Sequence, residues 1–278
     1  MIEIVQLVKN YKSTPALRGI DLTVTRGELF AYLGPNGAGK TTTIRILTGL
    51  ARLTAGRAML NGHDIITDSL AAKKQFGLVP QHINLDHELT VSENLRIHGW
   101  LHHLPGRNIR SRIDQLLDYI GLSDQRQTLV KHLSGGMKRR LMIARALMHE
   151  PQILFLDEPS VGLDANIRRR VWALIKKIQQ QGVTIFLTTH YIEEAEFLAD
   201  RVAFIDHGQI VALDTPQNLM AGLGSWALDQ FAAEQMQSLY FHSQPEAKQY
   251  AADYHNGFTL RRVNLEDAFL ALTGKKVA

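Results

Sequence analysis

No cysteine occurs in the 278 residues, so neither a disulfide nor a thiolate metal site can form. Long apolar runs are also missing: no stretch approaches the roughly 18 consecutive apolar residues that a membrane-spanning helix needs. The opening Met1-Ile2-Glu3-Ile4 has no basic stretch leading into an apolar one, so no secretory leader is read there. Charge of one sign is scarce. Lys and Arg number 31 against 27 Asp and Glu, a net +4. That excess is too small to argue for nucleic acid, and no nucleic-acid partner is expected; it suits anionic nucleotides or a membrane-proximal surface. Repeats and low-complexity segments are absent. These absences lead to the expectation of a soluble, cytoplasmic protein that meets a membrane only through a partner. A hydrophobic content of 45% supplies a proper core, for one large domain or one domain with an appendage.

What is present centres on one stretch. Gly34-Pro35-Asn36-Gly37-Ala38-Gly39-Lys40-Thr41, with Thr42 behind it, has the G-x-x-x-x-G-K-T spacing of a phosphate-binding loop. The run Leu29-Phe30-Ala31-Tyr32-Leu33 before it reads as a buried strand. Residues 43–49 after it read as a helix ended by Gly49. Glycines let successive N–H groups turn inward as an anion-binding nest, and the helix N-terminus adds its positive end. Lys40 would reach β- and γ-phosphates, and the Thr41 hydroxyl would ligate a Mg²⁺ bridging them.

Around this loop the chain reads as strands interrupted by helices. Residues 2–8 alternate as an edge strand, and Leu17, Ile20, Leu22 and Val24 mark another. Tyr11 lies between them, either an ordinary half-buried aromatic or a platform on which a nucleobase stacks. Residues 69–75 suggest a short helix and 76–79 a strand that Pro80 stops. Gln81 then stands where an amide can reach a metal-bound water or a γ-phosphate. Residues 88–150 turn helical, opened by the capping box Thr90-Val91-Ser92-Glu93. Ile109, Ile113, Leu116, Leu117 and Ile120 recur at helical spacing until Gly121. His98 and His102 share a helix face with His103 beside them. Without an acidic or cysteine partner nearby they read as solvated surface.

Ser134 is placed to cap a helix that starts at Gly135-Gly136-Met137. Lys138, Arg139 and Arg140 occupy its first turn against the helix dipole. Glycines, hydroxyl, free N–H groups and cations together read as a second anion site. Ile153-Leu154-Phe155-Leu156 is a buried strand ending in Asp157 and Glu158. Asp157 suits Mg²⁺ held through its water shell, and Glu158 could orient or deprotonate an attacking water. Asp164 caps a helix over 165–180, residues 183–187 form a central strand, and His190 behind it could bond a γ-phosphate oxygen. A hairpin follows around His207-Gly208, and Thr215-Pro216 opens a short helix. The tail holds a strand near 258–263 and a capped amphipathic helix over 264–274.

This ordered set resembles the ATP-binding subunit of an ABC transporter. The phosphate loop, Gln81, LSGGM at 133–137, ILFLDEP at 153–159, VGLD at 161–164 and His190 match that family in order and spacing. The resemblance implies an α/β fold: a P-loop NTPase core with an antiparallel β subdomain, a helical insertion and a small C-terminal α/β appendage. It places the ATPase domain at 1–222, the insertion at about 88–150 and the extension at 223–278. It makes Tyr11 the adenine-stacking aromatic, Gln81 the Q-loop residue, and Ser134, Gly135 and Gly136 the signature loop. Asp157 becomes the Walker B acid, Glu158 the catalytic base, Asp164 the D-loop acid and His190 the switch histidine. Met137 departs from the commoner LSGGQ, while Ser134 and the glycines are intact. ATP and Mg²⁺ are implied, as is a homodimer sandwiching two ATP molecules so that each signature loop faces the other copy's phosphate loop. A separate integral membrane permease would dock on the insertion and on Ile83 and Leu85 beside Gln81, placing the subunit on the cytoplasmic face of the plasma membrane. LSGGMKRRL and the tail's LEDAFLALTG are similar to ABC-2 exporter ATPases of the daunorubicin-resistance and nodulation-factor group. The alternatives are an importer ATPase, a soluble non-transport ABC ATPase and a nucleotide-binding regulator.

Overall fold

Strands apolar on both faces demand cover on both sides, and that requirement sets the architecture. The computed structural model describes residues 1–232, 235–252 and 257–274. The chain opens with the antiparallel hairpin β1 (Ile2–Tyr11) and β2 (Thr14–Val24), then enters the interior as β3 (Leu29–Leu33) and leaves as α1 (Lys40–Leu47). Next come β4 (Ala55–Leu60), β5 (His63–Asp64), α2 (Ser69–Lys74) and β6 (Phe76–Val79). The insertion holds α3 (Val91–Leu101), α4 (Gly106–Tyr119) and α5 (Gly135–Ala146). After it run β7 (Ile153–Asp157), α6 (Ala165–Gln180), β8 (Thr184–Thr189), α7 (Ile192–Leu198), β9 (Arg201–Asp206), β10 (Gln209–Asp214) and α8 (Pro216–Ala221). The tail is β11 (Trp226–Ala232), β12 (Gln235–Phe241), α9 (Gln244–Ala252), β13 (Phe258–Arg262) and α10 (Leu265–Thr273).

The central six-stranded sheet has the order β10-β9-β3-β8-β7-β6, parallel except for the antiparallel edge strand β10. Side-chain alternation splits each inner strand between two cores. Leu29, Ala31 and Leu33 of β3, with Leu154, Leu156, Ile185 and Leu187, share one core with α6, α7 and the helices of the insertion. Phe30, Tyr32, Phe155 and Phe186 face the other way, onto α1 and the antiparallel sheet β2-β1-β4-β5. The carboxyl ends of β3, β7, β8 and β6 then meet at one rim. Ligands of open parallel sheets bind at such a rim, where neighbouring connections diverge.

The expected capping devices form. Thr90 and Glu93 make both bonds of a capping box on α3, Ser134 accepts from the Met137 N–H, and Asp164 accepts from that of Ile167. Helix α1 starts at Lys40, three residues before the sequence-based start at Thr43, because the loop's last residues already lie on the helical path.

Two sequence readings are corrected. Leu85 is buried in the insertion's core at 6% exposure, so only Ile83 of the pair, 41% exposed, remains for docking. His98 and His102 are not solvated surface. The His102 ring stacks at 3.7 Å on His149, which the sequence reading did not connect to them, and His98 lies 5.4 Å beyond. His149 Nε2 also bonds the Phe76 carbonyl at 2.9 Å, while Nδ1 of His98 and of His149 is buried without a partner. No group of three or more His, Cys, Asp or Glu side chains that could hold a metal ion occurs among the described residues.

In the tail, β12-β11-β13 form a separate three-stranded sheet. Helix α10 leaves it and packs on α7, α8 and β10. Its Leu265, Ala268 and Phe269 join the insertion-side core, where Phe269 meets Phe204 edge-on at 5.2 Å. Among the described residues no helix is long and apolar enough to cross a membrane.

Candidate active site

The phosphate loop is shaped by close backbone approaches. A Cβ on Gly34 would lie 2.2 Å from the Ile205 carbonyl of β9. Gly39 sits at φ +115°, where a Cβ would meet Leu17 Cδ2 at 2.8 Å and Ala16 O at 2.9 Å. The β9–β10 turn braces the loop from outside, with Gly208 N–H donating to Ala38 O at 2.9 Å. Helix α1 has no acidic residue in its first turn and no side-chain cap, which leaves its N–H groups and positive end for an anion. Lys40 is 5% exposed, and its Nζ donates to Gly34 O at 2.7 Å and Pro35 O at 3.2 Å.

Strand β7 delivers two carboxylates to the same spot. Asp157 Oδ1 accepts from Thr41 Oγ1 at 3.2 Å and from Thr188 Oγ1 at 2.6 Å. Burial pushes the Asp157 carboxyl above its ordinary range, against the pull of these hydroxyls. Glu158 turns out of the strand at φ +52°, a conformation that costs a glutamate about 1–3 kcal/mol and that recurs at functional sites. The turn aims its carboxylate inward. Oε1 lies 3.2 Å from Lys40 Nζ, and Oε2 is 2.6 Å from His190 Nδ1 and 3.3 Å from the His190 N–H. Thr41–Asp157 and Lys40–Glu158–His190 are thus two bonded sets on the adjacent pairs Lys40-Thr41 and Asp157-Glu158.

Tyr11 and Ser134 stand apart from that cluster. Tyr11 ends β1 and is 44% exposed, with Lys9 Nζ 4.6 Å from its ring centre. Ser134 and Gly135 are exposed at the start of α5, while Gly136 is pressed on α6, where a Cβ would lie 2.3 Å from Ile167 Cγ2. Gln81 lies past the end of β6, and its backbone carbonyl accepts from Arg139 Nη2 at 3.0 Å.

The expectation that three cations build the second anion site fails for two of them. Arg139 is 4% exposed and binds Pro80 O and Gln81 O, both at 3.0 Å. Arg140 donates to Ile120 O at 2.7 Å and so caps the carboxyl end of α4. Each uses its guanidinium to satisfy carbonyls, which explains why the helix dipole tolerates them.

Sequence reasoning also missed a buried network behind Glu158. Glu194 of α7 is fully buried; its Oε1 accepts from Ser160 Oγ and from Trp172 Nε1, the latter at 2.8 Å. Burial pushes the Glu194 carboxyl up, and the nearby Glu158 charge adds to that. The network ties the segment after His190 to the turn after Glu158. The available signal was a glutamate on the buried face of α7, between Ile192 and Ala195.

Residues 17–161, more than half of the chain, match the family described as ABC transporter. The chain belongs to the ABC transporter family. This ABC protein is an ATPase that binds nucleotide, with the α/β P-loop fold of its relatives. It is 45% identical to a daunorubicin resistance ATP-binding protein of Streptomyces coeruleorubidus, over 80% of this chain and 70% of that one. It is 37% identical to the Nod factor export ATP-binding protein I of Cupriavidus metallidurans, over 97% and 96% of the two chains. Among solved structures it superposes on cbiO1 of Clostridium perfringens, part of the ABC transporter complex cbiONQ. The TM-score is 0.74 at 30% identity, over 79% of this chain and 90% of that one. A dimeric ATP-binding cassette in a post-hydrolysis state, bound to ADP and Pi, superposes with TM-score 0.69 at 28% identity, over 77% and 98%.

Proposed function

We propose that this ABC ATPase powers an ABC-2 type exporter through a separate integral membrane permease. Two copies sandwich two ATP molecules at the cytoplasmic face of the membrane. The observation that carries the ATPase part is the bonded set Lys40–Glu158–His190 at the mouth of the phosphate loop. The exporter part is supported by relatives named for drug resistance and for Nod factor export, one aligned along nearly the whole chain, tail included. Residues 1–222 are the ATPase domain, with the helical subdomain inserted at about 88–150, and 223–278 are the extension.

In this reading the N–H groups of Gly37, Gly39, Lys40, Thr41 and Thr42 cradle the phosphates between Gly34-Pro35-Asn36 and Ala38, and Lys40 swings from its carbonyls to the β/γ oxygens. Mg²⁺ fits the donors present: the Thr41 hydroxyl and the Asp157 carboxylate, 3.2 Å apart, are hard oxygens, and the Gln81 amide would supply a third on closure. When bound, the ion offsets phosphate charge. Glu158 takes the proton of the attacking water, and the hydrogen bond from His190 fixes which oxygen faces it. Tyr11 stacks on adenine. Ser134, Gly135 and Gly136 of one copy close on the γ-phosphate held by the other, and Asp164 follows in the adjoining turn.

The test is transport. Co-reconstituted with its permease in vesicles, the protein should drive ATP-dependent movement of substrate away from the face that carries it. Movement toward that face, or dependence on an external solute-binding protein, would instead indicate an importer. ATP turnover that moves no substrate and that neither permease nor substrate alters would indicate a soluble ATPase.

A further inference from the structure

The segment 80–84 has no strand or helix of its own, and His82, Ile83 and Asn84 are exposed. Three of its carbonyls nevertheless take protein partners. They find them on one helix. Arg139 of α5 reaches Pro80 O and Gln81 O with its two Nη atoms, each at 3.0 Å. Arg145, about 9 Å further along the same helix axis at 1.5 Å per residue, reaches Asn84 O at 2.7 Å and Asn84 Oδ1. Downstream, Leu85 is anchored in the core and the Asp86 N–H bonds Asn94 Oδ1 at 3.0 Å. The loop is therefore held at both ends by arginines of the helix whose first residues are the signature loop.

Arg139 is the more informative of the two. It is 4% exposed and makes no salt bridge among the described residues, so its charge is balanced by carbonyl dipoles and by Asp157 and Glu194 nearby. A buried cation spent on the backbone of a catalytic loop is costly if its only purpose is packing. A planar guanidinium fork can hold two successive carbonyls at a fixed spacing, which an ammonium cannot do.

We propose that α5 is a rigid tie between the signature loop and the Gln81 loop. Arg139 and Arg145 are its positioning residues: they hold residues 80–84, and through them the Gln81 side chain, in register with Ser134–Gly136. In a head-to-tail dimer, displacement of one copy's signature loop by its partner's nucleotide would then be delivered to that copy's own Gln81. The inference rests on the ATPase and dimer reading above and adds the physical link between the two sites.

The test is a double-mutant cycle on the full chain with Arg139→Met, Gln81→Ala and their combination. Because Arg139 acts through Gln81, each single variant should lower kcat roughly ten- to a hundredfold, the usual penalty for losing a residue that orients a metal-site ligand. Equilibrium ATP binding should stay within about twofold, and the double variant should be no slower than the slower single. Amide exchange in residues 80–86 of the nucleotide-free protein should quicken in Arg139→Met. Arg139→Lys keeps the charge without the fork and should fall between; if Arg139→Met melts below the assay temperature, the same cycle is read with Arg139→Lys. Multiplicative losses, unchanged exchange, or wild-type kcat in Arg139→Met would overturn the tie while leaving the ATPase reading intact. Absence of ATP hydrolysis in the unsubstituted protein would overturn both.

Discussion

Glu158 occupies its place through a strained backbone and two opposed partners, Lys40 on one oxygen and His190 on the other. Lys40 and Glu158 are 5% and 3% exposed, so neither charge is well served by water and each depends on the other. The Lys40 Nζ also satisfies two loop carbonyls. Lys40→Met should therefore weaken ATP binding about ten- to a hundredfold, the worth of one or two hydrogen bonds to a charged group. Equilibrium binding with a fluorescent ATP analogue checks this, and unchanged affinity would remove Lys40 from the phosphate site. At this scale the sequence was informative where a residue ended an apolar strand, as Asp157 and Glu158 do. It put Arg139 in an anion site and was silent on Glu194. Their roles depend on which backbone carbonyls and indole lie across a tertiary contact, and no local spacing encodes that.

At the scale of elements, the central strands were legible because four or more consecutive apolar residues leave little choice but a strand covered on both faces. The helix caps were legible for the same local reason. The histidine group was not, because α3 and its C-cap supply His98 and His102 while His149 comes from beyond α5. This group makes stability depend on pH. Burial first, then the charges of Arg145 and neighbouring rings, pulls His98 down from 6.5 to about 4, and burial with His102 and Arg112 does the same to His149. The folded state thus binds protons less readily than the unfolded chain. The stability these neutral rings contribute is present above pH 6.5 and is lost as pH falls through about 4. Replacing His149 by Gln, which can still donate to Phe76 O, should flatten the acid limb over that window. Denaturant midpoints of both proteins at a series of pH values measure it, and equal slopes would show that the stack does not titrate as described.

For the whole molecule, the sequence marked residues 223–278 as an appendage but did not indicate where its last helix goes. An amphipathic helix advertises an apolar face, not the surface that covers it. Here α10 leaves its own small sheet and inserts Phe269 against Phe204 in the insertion-side core. Phe269→Ala should cost roughly 3–5 kcal/mol, as for other large buried aromatics. The loss is read by urea denaturation, and a cost under about 1 kcal/mol would mean that the tail is not part of the cooperative unit.

All three scales converge on the rim where the phosphate loop meets Glu158 and His190. The most direct test of that convergence is phosphate release by the purified protein with ATP and Mg²⁺, set beside equilibrium ATP binding, for the unsubstituted chain and for Glu158→Gln. The expected result is steady release from the unsubstituted chain, with binding retained and release reduced at least about a hundredfold in Glu158→Gln, since a positioned general base contributes about that much or more. Equal release from both proteins would contradict the account.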